Sequence, residues 1–249
     1  MTRRFFVDPA TLAGDEVTLA GDLAHRLTKV LRLRPGAEIA LFDGSGREAT
    51  VRIEGADERT VQASVVERYD GPPEPRVRLN LYQSITKGER FEWLLEKGTE
   101  IGVARFVPLI AARAVVMTKG EGNRAQRWRR IVVEAAEQCG RSAVPEIGEP
   151  VRFDAAVASA PGVLLLPYEA AGDFAPSVQS ALSADIDALF ALSEVSVFIG
   201  PEGGFEPAEV AAAAAAGAAV VTMGARVLRS ETAGLVAATL VMQAAGELG

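Results

Sequence analysis

The alternation of short apolar runs with helical patterns from residue 77 to residue 243 is the strongest constraint on the fold of this 249-residue chain. Residues 163–166, Val-Leu-Leu-Leu, are apolar on both faces, as expected of a strand buried between two layers. Similar runs occur at 195–199 and 218–222, and a helical pattern follows each of these two. Strands that alternate with helices predict an α/β fold with a mostly parallel sheet.

The first seventy residues show a different pattern, in which short strands predominate. One helix is predicted at 22–33 with Asp22 as its N-cap, and strands are predicted at 3–7, 17–19, 39–42, 49–53 and 61–66. This content favours a small β-barrel.

The Pro-rich segment 71–75 is a stiff linker and marks a domain boundary. We therefore expect one domain at residues 1–72 and a second at 76–249. Within the second domain, the Ala-rich stretch 170–192 is interpreted as a helical insertion without chemistry.

Composition excludes several classes of protein. The single cysteine, Cys139, rules out an internal disulfide framework and a Cys-rich zinc site. The single histidine, His25, leaves little room for a His-ligated metal or a catalytic triad, and we expect no metal. No run approaches the ~18 apolar residues of a membrane span, and Asp8 and Pro9 interrupt any signal peptide, so we expect a cytoplasmic protein.

The charge is unevenly distributed along the chain. The net charge is −7, yet residues 76–145 carry thirteen basic and seven acidic side chains, whereas residues 146–249 carry three basic and thirteen acidic ones. Because screening acts over about 10 Å, a polyanion would respond to a local basic face more than to the net charge. The basic segments either bind nucleic acid or form solvated helix faces, and charge alone favours the second interpretation.

A glycine-rich loop at residues 198–205, Phe-Ile-Gly-Pro-Glu-Gly-Gly-Phe, follows a buried strand and precedes a helix. In open α/β sheets this is where ligands bind, and glycines let the backbone approach a ligand closely. Glu202 is its one acidic side chain. We expect the loop to leave no space for a side chain, so that Gly203→Val would block a ligand. The alternative is a tight turn that requires glycine for its own conformation.

A second loop, residues 223–233, occupies the same position after the next buried strand. Arg226 and Arg229 are nearly the only basic groups of an acidic segment, which suits them to bind an anion. Ser230 is the expected N-cap of the following helix, and Glu231 stands where it could merely stabilise the helix dipole.

Five motifs occur in a fixed order along the chain. They are Lys87–Arg90, Thr99–Val103, Glu137–Pro145, Ile199–Phe205 and Arg226–Ala233. In this order and spacing the chain resembles the RsmE family of 16S ribosomal RNA uracil-N3 methyltransferases over nearly its whole length. The last two motifs in tandem are the most specific. Ala225 departs from the family pattern where Pro is common, and Glu206 where Ser or Thr is usual.

The resemblance implies a SPOUT-type α/β domain whose chain forms a trefoil knot, preceded by a PUA-like RNA-binding β-barrel. It also implies a homodimer, S-adenosyl-L-methionine as cofactor, and ribosomal RNA or the small ribosomal subunit as partner. The cofactor would lie against three loops, at residues 166–169, 199–204 and 223–228. The residues expected to bind it are Leu166, Pro167, Ile199, Gly200, Pro201, Glu202, Gly203, Gly204, Met223, Gly224, Val227 and Leu228.

The implied reaction is methylation of uracil N3. The enzyme must either remove the N3 proton or stabilise the uracil anion. The pKa of N3–H lies a few units above 7, and each unit adds about 1.4 kcal/mol to the free energy of ionising it at neutral pH. We therefore expect Glu202 to act as base and Arg226 or Arg229 to stabilise the anion, unless Glu202 only holds the loop. The expected RNA contacts are Arg3, Arg4, His25, Lys29, Arg32, Lys87, Arg90 and Arg141.

Two alternative functions remain open. One is a SPOUT methyltransferase that acts on tRNA, often at a ribose hydroxyl, and the other is a non-catalytic RNA-binding ribosome-assembly factor. The PUA-like start and both Glu-containing motifs favour the ribosomal RNA enzyme over the first. The intact loop 200–204 counts against the second, because a protein that only binds RNA would not require it.

Overall fold

The computed structural model describes residues 3–57, 59–114, 121–172, 175–183 and 194–248, with the backbone alone at 121–123 and 183. The chain forms two compact units. The first contains Met1–Glu74 and Ala136–Val144, and the second contains Pro75–Ala135 and Pro145–Gly249. Of the expected helical insertion at 170–192, residues 173–174 and 184–192 lie outside the described residues, and Val178–Ser183 is a helix within its described part. No helix of the described residues has both the length and the apolar character needed to cross a membrane.

The first unit is built on a curled five-stranded sheet with the order β1-β3-β4-β5-β2. Neighbouring strands are antiparallel except β1 and β3, which are parallel. Its elements are β1 (Arg4–Phe6), a 3-10 turn (Pro9–Leu12), β2 (Glu16–Ala20), α1 (Gly21–His25), β3 (Glu38–Phe42), β4 (Arg47–Ala56) and β5 (Thr60–Asp70). All five strands coincide with predicted ones.

The helix of the first unit differs from its prediction. α1 is one turn long and continues as a π-helix at Arg26–Val30, in which the amide of Leu31 donates to the carbonyl of Arg26 at 2.9 Å. Ala20, not Asp22, occupies the N-cap position, because the first helical residue is Gly21, two residues before the position that an Asp22 cap requires. Leu27 and Ala24 face the apolar core, which also contains Phe5, Val17, Leu19, Ile39, Leu41, Val51, Ile53 and Val61.

The second unit contains one sheet with the order β12-β10-β11-β6-β7-β8, and β9 also pairs with β7. All of these strand pairs are parallel, which confirms the predicted α/β class. Its strands are β6 (Arg78–Ser84), β7 (Arg105–Ile110), β8 (Glu146–Ile147), β9 (Val151–Arg152), β10 (Val163–Pro167), β11 (Glu194–Ile199) and β12 (Ala219–Val221). Its helices are α2 (Arg90–Ile101), α3 (Glu121–Cys139), α4 (Phe153–Ser159), α5 (Val178–Ser183), α6 (Pro207–Ala215) and α7 (Ser230–Ala244).

Helix α6 begins as its sequence predicts. Pro207 occupies the first helical position, and the amide of Glu206 donates to the Glu209 carboxylate at 2.9 Å. The other Glu209 oxygen accepts from the amide of Ala112 at 2.9 Å. This cap fixes the direction in which the chain leaves the glycine-rich loop.

Aromatic side chains pack beneath the carboxyl end of the sheet. Tyr82 stacks on Phe198 with ring centroids 4.7 Å apart, and Phe153 contacts both Phe198 and Phe205. Burial raises the pKa of Tyr82.

Helix α7 packs on α2, β6 and β11 through buried residues that include Gly234 and Ala238. These layers provide a rigid base for the loops at that edge.

Candidate functional site

Three loops meet at one edge of the second sheet. Because β10, β11 and β12 are neighbouring parallel strands, the loops after Pro167, Ile199 and Val221 leave the sheet on the same side. Together with the first turn of α7 these loops line a pocket of about 290 Å³. Ten of the predicted cofactor-binding residues line it: Pro167, Ile199, Gly200, Pro201, Glu202, Gly204, Met223, Gly224, Val227 and Leu228.

The loop after β11 is held by α7. Ser230 Oγ donates to the carbonyl of Gly200 at 2.5 Å, and Gln83 Nε2 donates to Ser230 Oγ at 2.8 Å. The expectation that Ser230 is the N-cap is corrected, because α7 already begins at Ser230 and Arg229 occupies the cap position. The hydroxyl fixes the glycine-rich loop against the helix instead.

Gly204, rather than Gly203, carries the conformational constraint of the loop. Gly204 has a φ of +68°, and a Cβ there would collide with the Glu169 carboxylate. At Gly203 a Cβ would lie 3.4 Å from Arg113 Cβ, an ordinary contact, and its carbonyl accepts from Arg113 Nη1 at 3.0 Å. Gly203 does not line the pocket, and Leu166 is buried within β10. Position 204 therefore restricts substitution mainly through its positive φ, because the Glu169 carboxylate is the end of a flexible side chain and can move.

Arg226 and Arg229 both line the pocket and both are exposed. Neither guanidinium has an ion-pair partner within 4.0 Å among the residues that the structure describes. Val227, between them, is 82% exposed although it is apolar. This side of the pocket therefore combines two available positive charges with an uncovered apolar surface.

Arg90 lies between two carboxylates. Its Nη1 is 3.7 Å from Glu202 Oε1, and its Nε is 3.7 Å from Glu231 Oε1. The side chain of Glu202 is 36% exposed, whereas that of Glu231 is 9% exposed. The sequence offers no signal for this arrangement, because the two glutamates lie more than a hundred positions from Arg90. The contacts depend on how α7 packs on α2 and holds the loop after β11.

The predicted RNA-binding residues differ in their environments. The exposed ones are Arg3, His25, Lys29, Arg32, Lys87 and Arg90. Arg4 and Arg141 are instead largely buried in ion pairs of the first unit, Arg4 with Glu48 at 2.7 Å and Arg141 with Glu74. A phosphate contact by either of these two would compete with its carboxylate. RNA binding by all eight residues, including Arg90, stays a prediction.

The segment 136–144 supplies structural contacts that sequence reasoning missed. Ser142 Oγ donates to the Glu48 carboxylate, and Arg4 Nη2 donates to Ser142 Oγ at 3.1 Å. Glu137 accepts from the amide of Phe6 at 3.0 Å and from Arg26 Nη1 at 2.7 Å. The motif Glu137–Pro145 therefore fastens this segment to the first unit, and Glu48, only 3% exposed, lies at the centre of the network.

A larger cavity, of about 900 Å³, lies between β7, α4 and α6. Its lining consists mainly of apolar side chains such as Leu109, Phe153 and Val157. The smaller pocket combines glycines, carboxylates and guanidinium groups at the ends of parallel strands, so chemistry rather than size identifies the candidate site. No cluster of three His, Cys, Asp or Glu side chains suited to a metal occurs in the described ranges, and the expected absence of a metal stays a prediction.

Comparison with known proteins identifies two family models in this chain. The model of the RNA methyltransferase domain matches residues 72–242, and that of the RNA methyltransferase PUA domain matches residues 19–66. The chain is 35% identical over 242 residues to the ribosomal RNA small subunit methyltransferase E of Mycobacterium bovis, covering 94% of this chain and 88% of the relative. It is 28% identical over 246 residues to the Bacillus subtilis protein of the same name, covering 96% and 95%.

A solved structure has the same fold over almost the whole chain. It is the ribosomal RNA small subunit methyltransferase E of Neisseria gonorrhoeae bound to S-adenosylmethionine, with a TM-score of 0.83 and 29% identity. The match covers 98% of each chain, so it includes both units and the three loops of the pocket.

Proposed function

The chain belongs to the family of ribosomal RNA small subunit methyltransferases E, and on this premise we propose that it methylates uracil N3 of one uridine in 16S ribosomal RNA with S-adenosylmethionine. The observation that carries the proposal is the convergence of three loops on one pocket at the carboxyl ends of β10, β11 and β12. A pocket at this position of an open parallel sheet suits a small ligand.

The pocket residues fit this cofactor. Ile199, Met223 and Leu228 supply apolar surface for the adenine, and the carboxylates of Glu169 and Glu202 suit a positively charged sulfonium. A side chain at Gly204 would displace the Glu169 carboxylate, so glycine lets this carboxylate stay at the pocket. When bound, S-adenosylmethionine supplies an electrophilic methyl group.

The residues of the chain must make uracil N3 nucleophilic and hold the base in place. Glu202 lines the pocket and is the proton acceptor that the sequence predicts. Arg226 and Arg229 also line the pocket and would stabilise negative charge on the base. The target base must leave its stack or be single-stranded to enter the site. The exposed basic residues Arg3, Lys29 and Arg32 would hold the phosphate backbone.

The domain assignment, the knot, the dimer and the cytoplasmic location belong to the same proposal. Residues 1–72 would bind RNA and residues 76–249 would carry the chemistry, which agrees with the spans of the two family models. Strand order supports the knot, since the chain leaves β12 at the sheet edge and returns as α7 onto β6 and β11. The homodimer is what the resemblance implies, and the cytoplasmic location is the expectation drawn from the composition of the chain.

Methylation of small-subunit ribosomal RNA with labelled cofactor, followed by nucleoside analysis, tests the proposal. We expect the label in 3-methyluridine. Label in a ribose methyl group, or methylation of tRNA instead, would support the alternative SPOUT activity. RNA binding without any transfer of label would support the assembly factor.

A further inference from the structure

A second cavity, of about 590 Å³, opens beside the cofactor pocket. Both cavities share the first turn of α7, because Ser230 and Ala233 line the cofactor pocket whereas Glu231 and Thr232 line this one. The remaining lining comes from the start of α2 and the residues before it: Lys87, Gly88, Glu89, Arg90 and Trp93. Two of these residues, Lys87 and Arg90, are predicted RNA contacts.

Glu231 is the unusual group of the cavity. Its side chain is nine-tenths buried, and Oε2 has no hydrogen-bond partner among the described residues. The other oxygen, Oε1, lies 3.7 Å from Arg90 Nε. A buried carboxylate oxygen without a donor is costly, so Oε2 is suited to accept a hydrogen bond from a ligand.

The other lining groups complement a uracil ring. Uracil presents one N–H donor, N3, between two carbonyl acceptors, and Lys87 and Thr232 carry donor groups at the same cavity. Trp93 is 46% exposed although it is a large aromatic residue, and an uncovered indole is a surface on which a flipped-out base stacks.

We infer that this cavity is the uracil subsite, with Trp93 stacking on the base and Glu231 Oε2 accepting the N3 proton; the inference rests on the proposed function. In this step the N3–H bond breaks, the proton moves to Oε2 and the electron pair stays on N3. The resulting negative charge spreads over the ring carbonyls, and Lys87 and Arg90 supply positive charge at the same cavity.

The burial of the two glutamates decides between them as proton acceptor. Glu202 is 36% exposed, so water competes for its oxygens, whereas Glu231 is 9% exposed. Glu202 then acts through Arg90, whose Nη1 it faces while Glu231 faces Nε, and is a positioning residue. The charged groups around Glu231 are Arg90, which contacts it, and Lys87 and Glu89 across the cavity.

Binding of short single-stranded RNA in the absence of cofactor tests the subsite. Three oligonucleotides would differ at one position, which is uridine, cytidine or 3-methyluridine. We expect uridine to bind about tenfold more tightly than the other two, because only uridine donates from N3 to a carboxylate. Glu231→Gln should abolish the preference for uridine over cytidine, since the glutamine amide can donate to cytosine N3.

The same titrations test the stacking contact. Trp93→Ala should weaken binding of all three oligonucleotides about tenfold, and Trp93→Phe should restore most of the affinity.

Single-turnover methylation across pH tests the proton transfer. We expect Glu231→Gln to lower the rate about 10²–10⁴-fold near neutral pH, with a smaller loss at high pH where uracil ionises unaided. Glu231→Asp should recover part of the rate, and circular dichroism establishes that each variant folds. Glu202→Gln should lower the rate by the same factor at every pH. Glu134→Gln, which removes an exposed carboxylate of α3, serves as the control with unchanged rate.

Two results would overturn the inference. One is an intact preference for uridine in Glu231→Gln, and the other is a loss that shrinks with pH in Glu202→Gln but not in Glu231→Gln. In both cases wild-type protein would still form 3-methyluridine. Failure of the proposed function is a separate result, because wild-type protein would then form none.

Discussion

The arginines of two motifs in this chain differ in exposure and in ion pairing. In the loop before α7, Arg226 and Arg229 are exposed, lie at the cofactor pocket and have no ion-pair partner within 4.0 Å in the described part of the chain. In the segment 136–144, the Arg141 side chain is 11% exposed and bound to Glu74, and the neighbouring Ser142 is bound to Glu48.

This difference shows what separates a ligand-binding motif from a structural one. The two motifs look alike as sequence, since each places arginine and serine next to a helix end. An unpaired guanidinium at a pocket retains its charge for a ligand, whereas a paired and buried one has already exchanged its hydration for a carboxylate. The partner of each arginine, not its type, therefore predicts its role.

The largest expected effect is on the rate of methylation when an arginine of the loop before α7 is replaced by alanine. We expect Arg226→Ala or Arg229→Ala to lower the single-turnover rate of methylation about 10²–10³-fold, because each variant removes a positive charge from the cofactor pocket, next to the uracil subsite. The free energy of unfolding should change by less than about 0.5 kcal/mol, since both side chains are exposed.

Arg141→Ala is the matched variant, and it should lower the free energy of unfolding by about 1–3 kcal/mol because Glu74 loses its partner. Denaturant titration alongside the rate measurement distinguishes the two motifs. A stability loss in the loop variants, or a rate loss of the same size in Arg141→Ala without a stability loss, would reverse the comparison.

A smaller effect is expected at the glycine-rich loop. Gly204→Ala should weaken S-adenosylmethionine binding about tenfold, because position 204 has a φ of +68° and faces the Glu169 carboxylate. Gly203→Ala should leave the affinity within about threefold, as its added methyl makes only an ordinary contact with Arg113. Calorimetry on both folded variants measures this, and equal affinities would remove the constraint from position 204.

The smallest expected effect concerns RNA binding by the first unit. Arg32→Ala should lower the slope of log affinity against log salt concentration by about one, because each phosphate contact releases condensed counterions. Arg141→Ala should lower the slope less, since Glu74 already neutralises that guanidinium. Binding titrations at several salt concentrations decide this. If Arg141→Ala lowers this slope by a full unit, the Arg141 guanidinium exchanges its ion pair with Glu74 for a phosphate when RNA binds.

Much of the fold is predictable because it depends on local apolar patterns. The runs at 163–166, 195–199 and 218–222 appear as β10, β11 and β12, and the ends of these strands locate the pocket. The two-residue strands β8 and β9 could not be predicted, because a strand of this length shows no periodicity.

The partners of single side chains could not be predicted. Ser230 has the right type and position for an N-cap, but its hydroxyl instead holds the carbonyl of Gly200, a contact between distant parts of the chain. Arg90 likewise contacts Glu231 because α7 packs on α2, and it contacts Glu202 because α7 in turn holds the loop after β11. Such contacts follow from tertiary packing, which local sequence patterns do not contain.

Methyl NMR of the methionine side chains tests most directly that the pocket at the ends of β10, β11 and β12 binds S-adenosylmethionine. Met223 lines this pocket, whereas Met242 is fully buried in α7. With carbon-13 in the methionine methyl groups and unlabelled cofactor, we predict a saturable shift of the Met223 signal, assigned by Met223→Leu, and an unmoved Met242 signal. Cofactor binding that leaves the Met223 signal unmoved would contradict the account.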